Sequence, residues 1–234
     1  MVRKKRLSLF DSDSVADDSS VAVIGLGRFG QSVALELMAT GAEVLGIDED
    51  PEIVQQLNNK LTHVVCASAT NFDVLEQLDV TDFDRIVVAI GTHLESSILV
   101  TSYLLRQGAE NIWAKAVSDQ HGIILQQLGV RNVVFPEKDM GKRVAHLLQG
   151  GLQEFIQIDS EYALAMARVP EKFAGSKVSP SAMIKKYGVG VTSYRDGAGQ
   201  WYQKLNDDVV VEEGDLMILG GSPQKIEHFA KKYL

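Results

Sequence analysis

Residues 21–30 read VAVIGLGRFG, a short apolar run that leads into the pattern Gly-x-Gly-x-x-Gly. The apolar run predicts a buried strand, and the amphipathic residues 31–38 that follow predict a helix. In such a turn Gly25 permits a tight bend, Gly27 lets the backbone approach a ligand, and Gly30 lets the helix pack close to the strand. The start of the helix offers unpaired N–H groups and the positive end of its dipole. The pattern therefore predicts an anionic group, such as a phosphate, at this turn.

An acidic residue follows the second predicted strand. Asp48 lies 18 residues after Gly30, close to the spacing of about 20 at which a carboxylate accepts hydrogen bonds from ribose hydroxyls. We expect a ligand whose ribose carries a free 2′-hydroxyl, bound beside Asp48 and the adjacent Glu49. The alternative is a surface acid that follows a strand and has no such role.

Short apolar segments alternate with longer amphipathic segments from residue 20 onward. This alternation is typical of a parallel sheet with helices on both faces and right-handed connections. We therefore predict a doubly wound, Rossmann-like α/β domain at residues 20–150. Its strands are expected at 21–25, 43–47, 63–66, 85–90, 111–115 and 132–135, and its last helix near 138–149.

The flanking regions differ from this domain. Residues 151–234 predict a second, smaller α+β domain, with a hairpin turn at Gly214 and Asp215. Its strands are expected at 155–158, 163–169, 191–194, 208–211 and 216–219, and its helices at 179–187 and 223–233. Residues 1–19, rich in Ser and Asp after a basic start, have a composition typical of a flexible tail.

Arg28 favours a mononucleotide over a dinucleotide. A guanidinium beside the phosphate turn adds a charged, bidentate donor suited to terminal phosphates. ATP or ADP is therefore the expected ligand, and Phe29, the next residue of the turn, is assigned to the same site. The alternative for Arg28 is a solvated surface side chain.

Further ligand-binding residues are expected at the ends of the other strands, because open α/β sheets bind ligands at the carboxyl ends of their strands. These residues are Ser68 and Thr70 after the third strand, Gly91 and Thr92 after the fourth, Lys115 at the fifth and Glu137 after the sixth.

Composition excludes several classes of protein and site. The net charge of −8 and the pI near 5.1 disfavour nucleic acid as a partner. Cys66 is the single cysteine, which excludes an intrachain disulfide framework. No apolar run approaches the roughly 18 residues of a spanning helix, and the apolar part of the amino terminus is too short for a secretory signal. We expect a cytoplasmic protein that does not itself insert into a membrane.

With these residues placed, the sequence resembles the regulatory subunits of Ktr and Trk potassium uptake systems, which are built from RCK (regulator of potassium conductance) domains. The resemblance covers residues from about 20 to 234. The motifs that carry it are VIGLGRFG (23–30), VVAIG (87–91), NIWAKA (111–116), PEKDMG (136–141), KYG (186–188) and GDLMILG (214–220). The NIWAKA and PEKDMG motifs favour the Ktr type.

The resemblance implies an adenine nucleotide near residues 25–30 and Asp48, with Arg28 reaching phosphates across a homodimer. It also implies an octameric ring that docks on an integral membrane potassium-translocating subunit at the inner face of the cell membrane. In such proteins ATP favours the conducting state and ADP the inactive one. Glu137 matches a glutamate that helps to hold a cation, such as Mg²⁺, at the ATP phosphates; on residue type alone, an acid stabilised at a helix start fits equally. Some relatives bind cyclic di-AMP in the second domain through a basic residue at the position of Ile184, and no such site is assigned here.

Two other functions use the same turn. An NAD-dependent dehydrogenase would need a catalytic half, but the second domain is small and the five histidines show no paired acid as a proton relay. We therefore expect a protein that is not an enzyme. An NAD(H)-binding regulatory subunit of the Trk type keeps the membrane partner and changes the ligand.

Overall fold

The computed structural model describes residues 19–148, 150–177, 179–203 and 209–234. The predicted tail therefore lies outside the described residues, except for Ser19. The chain divides into two compact units, the first ending at Glu137 and the second beginning at Lys138. The domain limits expected from the sequence, 20–150 and 151–234, stay predictions.

The first unit is built on six parallel strands in the order β3-β2-β1-β4-β5-β6. Each strand lies within about two residues of its predicted position. The strands are β1 (Ser20–Ile24), β2 (Glu43–Asp48), β3 (His63–Cys66), β4 (Arg85–Val88), β5 (Ile112–Lys115) and β6 (Asn132–Val134). The helices of this unit are α1 (Arg28–Ala39), α2 (Pro51–Leu57), α3 (Phe72–Gln77), α4 (Leu94–Arg106) and α5 (Asp119–Leu128), with a 3₁₀ turn at Val80–Asp82. A further helix, α6 (Pro136–Leu148), begins with the last two residues of the first unit and continues into the second. The doubly wound fold is confirmed.

Both faces of this sheet are buried, as a parallel sheet requires. Along β1 the side chains alternate, so that Ala22 and Ile24 belong to one hydrophobic cluster and Val21 and Val23 to another. The first cluster includes residues of α3, α4 and α5, and the second includes residues of α1 and α2. The direction of winding changes between β1 and β4, which lie side by side, and such a switch point opens a crevice at the carboxyl ends of the strands.

Local sequence signals set the ends of several helices. The Asp50 carboxylate caps α2 by accepting from the Glu52 N–H at 2.8 Å, and Pro51 takes the first helical position. Ser118 caps α5 in the same way, and Gly129, with φ of +109°, ends that helix in the left-handed region.

The second unit contains an antiparallel five-stranded sheet in the order β11-β10-β13-β8-β7, and a separate pair of short strands, β9 and β12. The strands are β7 (Leu152–Gln157), β8 (Ala163–Arg168), β9 (Ser176–Lys177), β10 (Val189–Arg195), β11 (Trp201–Tyr202), β12 (Val210–Val211) and β13 (Leu216–Gly221). The helices are α7 (Pro180–Tyr187) and α8 (Pro223–Tyr233), with a 3₁₀ turn at Glu171–Phe173. The predicted smaller α+β fold is confirmed; of the predicted strand at 208–211, residue 208 lies outside the described residues.

The hairpin predicted at Gly214 and Asp215 is wrong. β12 pairs with β9, whereas β13 pairs with β8 and β10, so the turn does not join two paired neighbours. The Asp215 carboxylate instead accepts from the Glu212 N–H at 3.0 Å, and the Gly214 N–H donates to the Val169 carbonyl at 2.9 Å. The glycine is still required there, since its φ is +85°.

Among the described residues, none of the helices combines the length and the apolar character needed to span a bilayer.

Candidate functional site

A cavity of about 790 Å³ opens at the carboxyl ends of β1 to β5, at the switch point of the first unit. All the residues that the sequence assigned to a site line it, except Gly30, which packs behind the turn. The predicted residues in its lining are Gly25, Gly27, Arg28, Phe29, Asp48, Glu49, Ser68, Thr70, Gly91, Thr92, Lys115 and Glu137. The structure thus brings together residues from six separate segments of the chain.

The three glycines of the turn differ in what a side chain would meet. Gly25 has φ of +89°, and its N–H donates to the Ile47 carbonyl at 2.8 Å. A Cβ on Gly30 would fall 1.9 Å from the carbonyl oxygen of Gly25, so only glycine fits without a backbone shift. A Cβ on Gly27 would meet nothing within 4 Å, because that position faces the open cavity.

The start of α1 is suited to an anion. Gly27 is its N-cap residue, and within the described part of the chain no side chain caps this end of the helix. The first turn of α1 also contains no acidic residue. Its N–H groups and dipole are therefore left for a negatively charged group in the cavity.

Asp48 ties the turn to the second strand. One carboxylate oxygen accepts from the Leu26 N–H at 2.5 Å, and the other accepts from the Asp50 N–H at 2.9 Å. This holding role was not foreseen from the sequence, since it depends on β1 and β2 being neighbours. The assignment of Asp48 and Glu49 to a ribose stays a prediction.

Lys115 and Glu137 form an ion pair at the edge of the cavity. Lys115 Nζ lies 2.7 Å from Glu137 Oε1 and 5.7 Å from the centroid of the Phe29 ring. The lysine side chain is 11% exposed, whereas that of the glutamate is 66% exposed. The hydrogen bond from Lys115 is the main reason that the pKa of Glu137 lies below its usual value, followed by a backbone hydrogen bond; burial opposes the shift, and the charges of Lys115 and Arg28 add to it.

The remaining predicted residues are polar or small groups at strand ends. Ser68 Oγ and Thr70 Oγ1 lie 2.9 Å apart, so one hydroxyl donates to the other. A Cβ on Gly91 would lie 3.2 Å from Lys115 Nζ, which means that the glycine leaves room for the ammonium group.

Several apolar residues in the cavity lining were not predicted from the sequence. Ile47 ends β2, Ile53 lies on α2, and Ala67 and Ala69 follow β3. They give one part of the cavity an apolar wall, which suits a flat ring rather than a charged group. The alanines carry no motif signal, although their position just after a strand end would have been enough to suggest them.

One chain supplies few groups for a metal ion. Within the described ranges, no three His, Cys, Asp or Glu side chains are grouped to hold one. Glu137 presents a single exposed carboxylate at the cavity, which fits a hard cation only if other oxygen atoms complete its shell.

A second cavity, of about 480 Å³, lies at the opposite end of the strands, where β4 begins. Its lining includes Asp82, Asp84 and Glu110, so it disfavours anions. The cavity beside the glycine turn is therefore the better candidate for the functional site.

Comparison with known proteins first defines the class. The TrkA-N domain family matches residues 21–136, the segment that contains the glycine turn and all of the six-stranded sheet except Ser20. The crystal structure of the GsuK RCK domain superposes with a TM-score of 0.63 at 16% identity and covers 100% of this chain and 51% of that chain. A structure of the GsuK channel bound to NAD gives a TM-score of 0.62 at 17% identity, over 96% of this chain and 40% of that one. These likenesses show that the chain has the RCK fold.

The family is narrower than the fold. The chain is 33% identical over 214 residues to the Ktr system potassium uptake protein C of Bacillus subtilis (strain 168), a match that covers 91% of this chain and 96% of that relative. It belongs to the family of Ktr system potassium uptake proteins. The resemblance inferred from its motifs is confirmed, and the family is one of transport proteins rather than of dehydrogenases.

Proposed function

We propose that the chain is a regulatory subunit that binds an adenine nucleotide in the cavity of its first unit and thereby gates a membrane potassium-translocating subunit. The observation that carries this proposal is the uncapped start of α1, which faces the cavity together with Arg28 and Lys115. Cations and helix N–H groups that converge on one space favour a ligand with several negative charges.

The shape of the cavity supports a nucleoside attached to that charged end. Asp48 and Glu49 lie at the end of β2, where a ribose would present its hydroxyls, and the wall of Ile53, Ala67 and Ala69 suits an adenine ring. The membership in a potassium uptake family supports the other half of the proposal, the transport partner.

Arg28 is the residue that we expect to distinguish ATP from ADP. It is the first residue of α1 and its side chain is exposed, so the guanidinium is accessible to a phosphate held by a second copy of the chain. ATP would engage Arg28 across a homodimer and favour the conducting state, whereas ADP would leave it free and favour the inactive state. A ligand shifts such an equilibrium only through its different affinities for the two states.

A cation with ATP, Mg²⁺ or another hard cation, is part of the proposal. When bound, it would neutralise charge between the terminal phosphates and nearby carboxylates. We assign the cation to Glu137, whose exposed carboxylate lines the cavity, with phosphate oxygens and a second copy supplying the other ligands.

The assembly and location follow from the same proposal. Dimers would assemble into an octameric ring that docks on the integral membrane subunit, which places the ring at the cytoplasmic face of the cell membrane. The alternative ligand is NAD(H), because the glycine turn and Asp48 also suit a dinucleotide. The GsuK channel binds NAD, but at 17% identity that likeness concerns the fold alone.

Titration of the purified protein with ATP, ADP, NADH and adenosine tests the ligand. The Arg28→Ala variant then tests the phosphate sensor: it should reduce the difference between ATP and ADP in potassium flux through the reconstituted partner by at least fivefold, while the affinity for adenosine stays within twofold. Arg106→Ala, which removes an exposed arginine at the end of α4 and outside the cavity lining, is the matched control. Equal losses for ATP, ADP and adenosine would contradict the role of Arg28, and tighter binding of NADH than of ATP would favour the alternative ligand.

A further inference from the structure

The Lys115–Glu137 ion pair joins the floor of the cavity to the first turn of α6. We propose that this ion pair is exchanged when a nucleotide binds: the phosphate takes Lys115 as its partner and displaces the Glu137 carboxylate. The inference rests on the proposed function and concerns the regulation of that same site. It makes Glu137 a competitor of the phosphate in the absence of a divalent cation.

Lys115 lines the cavity and is held there by its surroundings. Its side chain is almost buried, and its ammonium group lies beside the Cα of Gly91, where any Cβ would stand 3.2 Å away, and near the face of the Phe29 ring. The ring belongs to the first turn of α1, so the ammonium group and the helix start bound the same space. A phosphate at the start of α1 would therefore lie within reach of Lys115.

The position of Glu137 makes it the partner that moves. Its side chain is two-thirds exposed, and its carboxylate pairs with Lys115 and also accepts a backbone hydrogen bond at the start of α6. A phosphate carries more negative charge than a carboxylate and has more acceptor oxygens, so it is the stronger partner for a nearly buried ammonium group. Two anions on one ammonium group repel each other, and the exposed anion can turn into water at little cost.

A divalent cation changes the balance between the two anions. A bound divalent cation would supply positive charge that offsets the repulsion between the carboxylate and the phosphate. The ion pair therefore links the affinity for phosphate to the presence of a cation, and removal of the Glu137 charge should mimic part of the effect of the cation. This consequence separates the exchange from a simple structural role of the pair.

The experiment is calorimetric titration of the full chain with ADP and with adenosine in the presence of EDTA. Glu137→Gln should bind ADP about five- to tenfold more tightly than the wild type, because Lys115 no longer has a competing partner, and should bind adenosine with unchanged affinity. In the Lys115→Met background the same change, Glu137→Gln, should have no effect on ADP. Asp139→Asn, which removes a carboxylate two residues further along α6, is the matched control and should leave the affinity for ADP unchanged.

Three results would overturn the inference. A gain in affinity that persists in the Lys115→Met background would mean that Glu137 acts by repulsion through space, without an exchange. No gain in Glu137→Gln, on protein that unfolds at the wild-type temperature, would mean that the pair does not compete with phosphate, and Glu137→Ala provides a second variant for this arm. If wild-type protein binds neither ADP nor ATP, the proposed function fails together with the inference; if it binds both and the variants do not differ, the inference alone fails.

Discussion

Two alanine substitutions in the glycine turn should affect different properties: Gly30→Ala should lower stability, and Gly27→Ala should weaken the binding of ATP. In Gly30→Ala the new methyl group would fall 1.9 Å from the carbonyl oxygen of Gly25 and 3.3 Å from the Cβ of Ala89. The first of these atoms is backbone and cannot rotate away, so α1 and β1 must move apart. In Gly27→Ala the new methyl group would meet nothing within 4 Å, and the φ of −64° suits alanine.

The magnitudes follow from these contacts. Overpacking of a tight site costs about 1–3 kcal/mol, and a clash with backbone belongs at the upper end, about 3 kcal/mol. Alanine recovers about 1 kcal/mol over glycine inside a helix, which leaves a net loss of about 2 kcal/mol for Gly30→Ala. For a unit of this size that loss corresponds to a fall in Tm of roughly 8 °C. Gly27→Ala should leave Tm within about 2 °C of the wild-type value.

Thermal unfolding followed by circular dichroism, without nucleotide, measures the first effect. Calorimetry with ATP measures the second, since the methyl group of Gly27→Ala would occupy the space that we assign to a phosphate and should weaken ATP at least tenfold. A Gly30→Ala protein as stable as the wild type would refute the packing argument. A Gly27→Ala protein that binds ATP with wild-type affinity would refute the placement of the phosphate.

Two further predictions concern residues that hold the first unit together. Asp48→Ala removes the acceptor of two backbone N–H groups and should lower the free energy of unfolding by about 2–3 kcal/mol, measured by urea titration without ligand. Asp48→Asn should recover about half of this loss of stability. An unchanged urea midpoint for Asp48→Ala would exclude the structural role. Burial lowers the pKa of His121, so its stabilising effect is complete above the unfolded value of about 6.5 and is lost as the pH falls from there toward the folded pKa. His121→Asn removes the titrating group and keeps an acceptor for the Val117 N–H. Its free energy of unfolding should therefore fall less between pH 7 and pH 5 than that of the wild type or of His93→Asn, a control at an exposed residue. The same fall in all three proteins would show that His121 does not contribute to the pH dependence of stability.

The sequence was sufficient to predict the parts of the fold that depend on local periodicity. The continuous apolar run of β1 and the spacing of the glycines in its turn are local properties, and both the buried strand and the tight turn are found as expected. The position of the cavity followed as well, because the carboxyl ends of parallel strands share one edge of the sheet. This rule alone predicted that Ser68, Gly91 and Lys115 lie close together, and all three line the cavity.

Contacts between segments distant in the chain were not predictable in the same way. The Lys115–Glu137 ion pair depends on β5 lying next to β6. The hydrogen bond from the Leu26 N–H to the Asp48 carboxylate depends on β1 lying next to β2. The wrong hairpin at Gly214 has the same origin, since a turn signal is local but strand pairing is not. Burial of His121 likewise results from the packing of α5 onto the sheet core, which its neighbours in the sequence do not reveal.

The central claim is that the negatively charged end of a nucleotide lies against the start of α1. Its most direct test is a comparison of ATP with adenosine on the same folded wild-type protein, measured by calorimetry at low and at high salt. The claim predicts that ATP binds at least a hundredfold more tightly than adenosine and that the difference shrinks as salt screens the charges. Equal affinities for the two ligands, or a difference that salt does not change, would contradict it.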